Sequence, residues 1–302
     1  MRVSNQSLTN QVNEGIQLSF RRLAKVQEAV ASGKRINHLS DDALGAARAL
    51  DLKSFSTSLE QYRKSIDNAS PVLAQTDSVL GEVTDVLSRA KEIALSLANG
   101  ARSAEDRRQG VNEIHGTFQQ LLTLGNTKLD GRYIFAGYKN GAAPFSEGVG
   151  GVVYAGDTNE IHTPTSPSTS LAVTLPGNKV FQGTTLTAGA DLFDTLSDLE
   201  TALATNDVNG ANGITTQIGR LDAALDQVLS FRTEVAARQN SAEVAKESLS
   251  ALQLRTTELR SQLEDADPVQ VYSELSRQQY AFQAALQSAS QVLQPSLLDY
   301  LR

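Results

Sequence analysis

Several residue types are scarce or missing in this 302-residue chain, and each absence excludes a kind of protein. The chain has no cysteine, so it can form neither a disulfide framework nor a thiol-based site. It has no tryptophan, one methionine and only 5% aromatic residues, which argues against large globular cores. The hydrophobic content is ordinary at 40%, and much of it is alanine and leucine, which suit narrow seams between helices.

The charge balance and the hydropathy narrow the class of protein further. The net charge of −7 argues against nucleic-acid binding, and Phe20 is the only aromatic residue among the basic residues near the start. The first twenty residues lack the apolar core of a secretory signal peptide. No run approaches the roughly 18 apolar residues that a membrane span needs, so we expect no membrane insertion. Composition alone predicts a cytoplasmic protein.

Patterns typical of active sites are also missing from the sequence. The histidines His38, His115 and His162 are far apart and form no metal-binding pair. Residues 264–267 carry three carboxylates, but their spacing does not fit a calcium loop, and we interpret them as helix-end charges. We therefore predict no catalytic residue, no metal site and no cofactor, and a protein that is not an enzyme.

The two end segments, residues 3–32 and 268–302, repeat apolar residues at alternating steps of three and four. This spacing is typical of a coiled-coil seam, and such a helix is marginal in water unless its stripe is buried. The simplest partner for one end is the other end, followed by copies of both. The predicted assembly interface consists of Val12, Ile16, Leu23, Val26, Val30, Leu275, Phe282, Leu286, Val292, Leu297, Leu298, Tyr300 and Leu301.

Two longer seams, residues 52–97 and 218–266, predict helices of about 70 Å each that lie antiparallel. The first seam includes Phe55, and Pro71 predicts a kink or a break near Ser70. The second contains one extra step of three, which is typical of a stammer. Shorter helices are expected from Ser103 to near Gly125 and over 191–205.

The segment between these seams has a different composition. Residues 132–189 are rich in Gly, Thr, Ser and Pro, and short alternating runs predict strands at 132–135, 152–154 and 171–175. Disorder stays open as an alternative for residues 163–170. We expect three domains: a terminal coiled-coil domain (1–39 and 267–302), a long-helix domain (40–131 and 190–266) and a β-rich insertion (132–189).

Local signals predict how the helices begin and end. Gly33 is expected to end the first helix in a left-handed conformation, and Ser40 to cap the second with Asp41 and Asp42 in its first turn. Asp267 followed by Pro268 predicts the start of the last helix. The connector between the first two helices and its counterpart near 265 form a second candidate site, with Gly33, Lys34, Arg35, Asn37, Asp41, Asp42, Asp265 and Asp267.

Periodicity leaves an exported filament subunit and a cytoplasmic coiled-coil scaffold equally open, whereas two motifs separate them. The stretch SGKRIN at 32–37, followed by SDDA at 40–43, resembles the N-terminal signature of bacterial flagellins and their relatives. LEDAD at 263–267, followed by ELSR at 274–277, is similar to the matching C-terminal signature. Both lie at the right distance from their ends, and the resemblance covers nearly the whole chain.

Within that superfamily, the chain resembles the hook–filament junction branch more than the filament flagellins. The stretch 126–137, the motifs in 154–157 and 176–181, and the SLLDYL tail at 296–301 carry this resemblance. Residues 42–45, DALG, are closer to the flagellin form, so a flagellin or minor flagellin stays the alternative.

The resemblance implies a mainly α fold, a flagellin-like antiparallel long-helix coiled-coil rod from both chain ends with a small β-rich domain inserted in the middle. It implies an extracellular structural subunit of the flagellum, exported without a cleavable signal, which replaces the cytoplasmic prediction. The implied partners are copies of itself in a ring or helical assembly, a hook-side junction protein, flagellin, an export chaperone and the type III export apparatus.

We also expect the end stripes to drive assembly and to be poorly ordered in the free monomer. Lys34 and Arg35 are expected to meet acidic residues of a neighbouring subunit or of the 264–267 turn.

Overall fold

The computed structural model describes residues 2–100, 102–148, 150–184 and 189–293. The described chain is mainly helical, which confirms the predicted fold class, and small antiparallel strand pairs lie between the long helices in the sequence. The helices are α1 (Arg2–Ser32), α2 (Ala43–Ala98), α3 (Ala104–Gly125), α4 (Gly177–Phe181), α5 (Leu192–Ala204), α6 (Ile214–Glu264) and α7 (Pro268–Leu293).

In the described ranges, the β-structure consists of three separate two-stranded pairs. They are β1 (Lys128–Leu129) with β2 (Arg132–Tyr133), β3 (Phe145–Gly148) with β4 (Gly151–Tyr154), and β5 (His162–Pro164) with β6 (Ser170–Ala172). The predicted strand 152–154 lies within β4, whereas the predictions of 132–135 and 171–175 extend too far, since β2 ends at Tyr133 and β6 at Ala172. Residues 163–170 form a hairpin, in which the N–H groups of Thr165 and Ser166 both donate to the Thr169 carbonyl, at 3.0 and 3.2 Å.

The chain divides into two compact units. Unit 1 comprises residues 1–58 and 251–302, and unit 2 comprises residues 59–250, so α2 and α6 contribute residues to both. The expected three domains stay a prediction, and in the structure the β-rich residues 132–189 share unit 2 with helical residues.

A cluster of phenylalanines packs the β-rich segment against the helices of unit 2. Phe145 from β3, Phe181 from α4 and Phe193 from α5 are almost fully buried, and the ring of Phe145 lies 5.1 Å from Phe181 and 5.2 Å from Phe193. Aromatic rings at these separations bury large apolar areas and add a favourable edge interaction. The cluster joins the same core as Leu80 and Leu196 of the helices, so strands and helices share one interior.

The prediction of a break near Ser70 is wrong, because α2 continues through Pro71. Proline removes a single backbone donor, and the residues on either side of it are held by burial: Ile66, Ala69 and Leu73 are 0%, 3% and 1% exposed. The Ser70 hydroxyl also donates to the Ile66 carbonyl at 3.0 Å. Packing on both sides of Pro71 therefore outweighs one missing hydrogen bond.

The seam of α2 differs from the predicted one at its N-terminal end. Phe55, which the periodicity places in the seam, is 44% exposed, whereas Ala49 and Ser56 are buried. These two side chains of α2 are small, and the Gln253 amide of α6 donates to the Ser56 hydroxyl at 2.7 Å. A large apolar ring is thus left on the surface of unit 1.

Several helix starts follow the sequence signals closely. Ser103 and Asp106 form the predicted capping box of α3, in which each side chain accepts from the backbone N–H of the other residue. Asp191 caps α5 by accepting from the N–H groups of Phe193 and Asp194. Asp267 caps α7 by accepting from the Val269 N–H at 2.9 Å, with Pro268 at the first helical position.

Candidate functional site

The first part of the candidate site is the seam between the two end helices, both of which lie in unit 1. Helix α1 packs against α7, with Leu23 and Ala289 buried, and the rings of Phe20 and Phe282 lie 5.9 Å apart. At the other end of the pair, the Ala266 N–H donates to the Gly33 carbonyl at 2.9 Å. Since residue numbers fall along α7 as they rise along α1, the two helices run antiparallel.

The predicted stripe residues fall into three groups. Leu23 is buried, Leu286 is 45% exposed because it lies one position past the seam residue Ala285, and the Val292 side chain is outside the described part of the structure. Leu297, Leu298, Tyr300 and Leu301 also lie outside the described residues. The remaining members are half-buried: Val12, Ile16, Val26, Val30, Leu275 and Phe282. The packing of α1 against α7 therefore leaves most of the described stripe residues partly exposed.

The second part of the site is a backbone clasp, formed where the connector (residues 33–42) meets the turn (residues 263–267). The Arg35 N–H donates to the Glu264 carbonyl at 2.6 Å, and Lys34 and Asp265 form an isolated antiparallel β-bridge. Gly33 has a φ of 68°, in the left-handed region where glycine carries no steric penalty, and this conformation ends α1 as predicted. The clasp thus joins the two chain ends by main-chain hydrogen bonds.

The basic residues of the connector reach the turn by different routes. The Lys34 ammonium lies 2.9 Å from a Glu264 carboxylate oxygen. The Arg35 guanidinium instead donates to the Leu263 carbonyl at 3.0 Å and lies 3.4 Å from the Asp42 carboxylate in its own connector. Arg35 therefore satisfies a carbonyl at the C-terminal end of α6, where the helix dipole favours a positive charge.

The two adjacent aspartates of the connector have separate roles. The carboxylate of Asp41 pairs with the Lys25 ammonium at 2.8 Å and accepts from the N–H groups of Asn37 and His38, at 3.2 and 3.0 Å. The hydrogen bond from Lys25, followed by that from His38, lowers the pKa of Asp41 to about 2. Asp41 is therefore charged at neutral pH and fixes the connector to α1.

Asp42, and not the predicted Ser40, caps α2. Its carboxylate accepts from the Gly45 N–H at 2.8 Å, and its carbonyl accepts from the Ala46 N–H. The hydrogen bond from Gly45, and then the contact with Arg35, lower the pKa of Asp42. Ser40 lies in the turn before Ala43, too early in the chain to reach the first free amides of the helix.

Three contacts of the clasp involve residues that the sequence reasoning did not select. Lys25 and Glu264 supply ion-pair partners, and the Glu28 carboxylate lies 2.9 Å from His38 Nε2. The sequence predicted that an acidic residue of the turn 264–267 would contact the connector, but it did not indicate that this residue is Glu264. No sequence pattern marks Lys25, because its partner Asp41 comes close only after the connector reverses the chain.

Two features of the described residues concern metal binding and membrane insertion. They contain no group of three or more His, Cys, Asp or Glu side chains placed to hold a metal ion. Across the same ranges, no helix has both the length and the apolar composition needed to cross a bilayer.

Comparison with known proteins gives the class first. The bacterial flagellin N-terminal helical region matches residues 3–140, and the bacterial flagellin C-terminal helical region matches residues 218–301. These spans contain α1, α2 and α3 on one side and most of α6 with α7 on the other. The chain is thus a flagellin-type protein, whose terminal helices come from both ends of the sequence.

The comparisons also identify the family within that class. The chain is 32% identical to flagellar hook-associated protein 3 of Escherichia coli, over 94% of this chain and 95% of the relative. It is 29% identical to flagellar hook-associated protein 3 of Salmonella typhimurium, over the full length of both. It belongs to the flagellar hook-associated protein 3 family.

A solved structure agrees with this fold. The hook-associated protein of Vibrio parahaemolyticus superposes with a TM-score of 0.66 at 19% identity, covering 74% of this chain and all of that one.

Proposed function

We propose that this protein is a structural adaptor at the hook–filament junction of the bacterial flagellum, where it joins the hook-side junction protein to flagellin. Membership of the hook-associated protein 3 family supports the flagellar role. The observation that carries an assembly role is the uneven distribution of exposed apolar side chains between the two units.

Among the residues whose burial the structure describes, unit 1 has almost no interior of its own. Its buried apolar residues are mostly small or isolated, as with Ala46, Ala49 and Ala289, whereas unit 2 contains the large continuous core. Most of the large apolar side chains exposed in the described residues nevertheless lie in unit 1, although it is the smaller unit: Leu18, Phe20, Leu39, Leu44, Leu50, Phe55, Leu252, Leu254, Leu259, Val269, Tyr272, Tyr280 and Leu286. Exposed apolar surface of this extent marks an interaction surface.

Burial of this surface supplies the driving force for assembly. Full burial of one Leu, Val or Phe side chain is worth about 1.5–3 kcal/mol. The half-buried stripes of α1 and α7 therefore gain stability when copies of the protein, the hook-side junction protein or flagellin cover them. This is the role of a building block, and we propose no enzymatic activity, cofactor or nucleic-acid partner for the chain.

The location follows from this role. The protein acts outside the cell on the flagellum, after export by the flagellar type III apparatus with the help of an export chaperone. A chain exported in unfolded form has to order its end segments at the assembly site. We propose that residues of α1 and α7 are poorly ordered in the dilute monomer and gain their order on assembly. Protection of both ends from a protease in the dilute monomer would count against this.

An antibody against this chain, detected with gold on intact flagella, tests the adaptor role. We expect label in a narrow band at the boundary between hook and filament, because an adaptor occupies only that position. Antibody against flagellin, used in parallel, should mark the filament alone. Label along the whole filament would instead assign the chain to the filament, as a flagellin or minor flagellin.

A further inference from the structure

An apolar groove runs between α2 and α6 within unit 1. It has a volume of about 360 Å³, and its lining residues are Arg48, Asp51, Leu52, Leu259, Gln262 and Leu263. Leu259 on its α6 side is 43% exposed. Between two helices, such a groove has the shape that accepts a third helix.

Arg48 and Asp51, which line this groove, belong to a longer stripe of α2. Leu44, Arg48, Asp51 and Phe55 follow one another at steps of four, three and four, so they lie on one face of the helix. Leu44 is 64% exposed and Phe55 is the exposed ring described above. The stripe therefore has an apolar residue at each end and two charges of opposite sign at its centre.

The two central charges have no ion-pair partner among the described residues of their own chain. Three other charged residues of unit 1, Lys25, Lys34 and Arg35, do contact carboxylates of their own chain. Arg48 and Asp51 lie one turn apart and carry opposite charges. In a second copy that runs in the opposite direction, the same two residues carry the charges that pair with them.

The stripe is self-complementary when two copies of α2 meet antiparallel. If Arg48 of one copy faces Asp51 of the other, the same register places Leu44 opposite Phe55, because both pairs are centred on the same point of the helix. All four contacts then repeat by two-fold symmetry, as in an isologous interface, where one patch binds itself. Opposite charges are paired and apolar residues meet apolar residues.

We propose that this groove is the contact surface of an antiparallel dimer, in which α2 of a second copy of the chain lies along α2 of the first. The proposal goes beyond the adaptor role, because a two-fold pair is closed and does not extend a polar tube. The dimer covers Leu44 and Phe55 in subunits that are not yet assembled. With so few apolar residues on each side, far below the 20–30 residues of a standard interface, we expect it to be weak and concentration-dependent.

Charge reversal in purified protein tests the pairing. By sedimentation, Arg48→Asp and Asp51→Arg are each expected to raise the dimer dissociation constant about tenfold or more, since every lost attraction becomes a repulsion and occurs twice. An equimolar mixture of the two variants should recover dimers of wild-type strength, because each charge then meets its opposite on the other copy. Lys53→Asp, the same change of charge on the far side of α2, is the control and should leave the dissociation constant unchanged.

Cysteine cross-linking tests the register independently of charge, and the cysteine-free chain makes each engineered thiol unique. A mixture of Leu44→Cys and Phe55→Cys protein is expected to form disulfide-linked dimers, whereas either variant alone should form few. Three results would overturn the proposal: Arg48→Asp with wild-type association, a variant mixture that does not recover, or cross-linking of Leu44→Cys alone as efficient as that of the mixture. Loss of the dimer with normal labelling of the junction would leave the adaptor role intact.

Discussion

Reversal of the charge at Arg35 is expected to abolish assembly into the flagellum. The guanidinium holds the Leu263 carbonyl and the Asp42 carboxylate, and a glutamate there would face Asp42 and the negative end of α6. Because the Arg35 side chain is about half exposed, each lost contact is worth about 1 kcal/mol or less, and the new repulsion adds to this loss. In a strain that lacks the gene, Arg35→Glu should fail to restore swimming, while the variant protein still appears in the medium.

The control for this prediction is Arg22→Glu, which changes the charge by the same amount on the exposed surface of α1. It should restore swimming as well as the wild-type protein does. Because exposed charges are screened over about 8 Å at physiological ionic strength, the defect of Arg35→Glu should lessen in high salt. If Arg35→Glu assembled normally at several salt concentrations, the clasp would not be needed for assembly.

A carboxylate placed in the seam between α1 and α7 is expected to impair assembly at least as strongly as Arg35→Glu does. Leu23 is a buried large side chain of α1, at 8% exposure, in the helix that packs against α7. Leu23→Asp removes about 1.5–3 kcal/mol of apolar burial and places a charge where water is partly excluded. We expect α1 and α7 to separate, the protein to remain unassembled in the medium, and both ends to be cleaved by a protease at any concentration.

Gln27→Asp introduces the same carboxylate one turn further along α1, at an exposed position. It should assemble and gain protease protection in the assembled state, as the wild-type protein does. Assembly of Leu23→Asp at the wild-type level would mean that the α1–α7 seam does not hold the subunit in place.

Local patterns in the sequence were sufficient to predict the structural features that depend only on residues close together in the chain. The Ser103–Asp106 capping box and the Asp267–Pro268 start of α7 occur as predicted, because cap and amide lie within one turn of each other. The 3-4 repeats likewise predicted long helices, since burial of a stripe requires only the helical period.

Features that depend on residues distant in the sequence were missed or misplaced. The 3-4 repeat runs through Pro71, but it does not show that burial of Ile66 and Leu73 outweighs the hydrogen bond that proline removes. The cluster of Phe145, Phe181 and Phe193 joins a strand and two helices whose sequences carry no common period. At the clasp, basic and acidic groups could be matched in general, but the choice of the Leu263 carbonyl by Arg35 depends on three-dimensional geometry.

The hook–filament adaptor role is tested most directly by deletion of the gene. Electron microscopy of the deletion strain, combined with an assay for flagellin in the culture medium, reports structure and secretion together. We predict complete hooks without filaments and flagellin lost into the medium, because filament subunits have nothing to attach to. Filaments of normal length on the deletion strain would contradict the adaptor role.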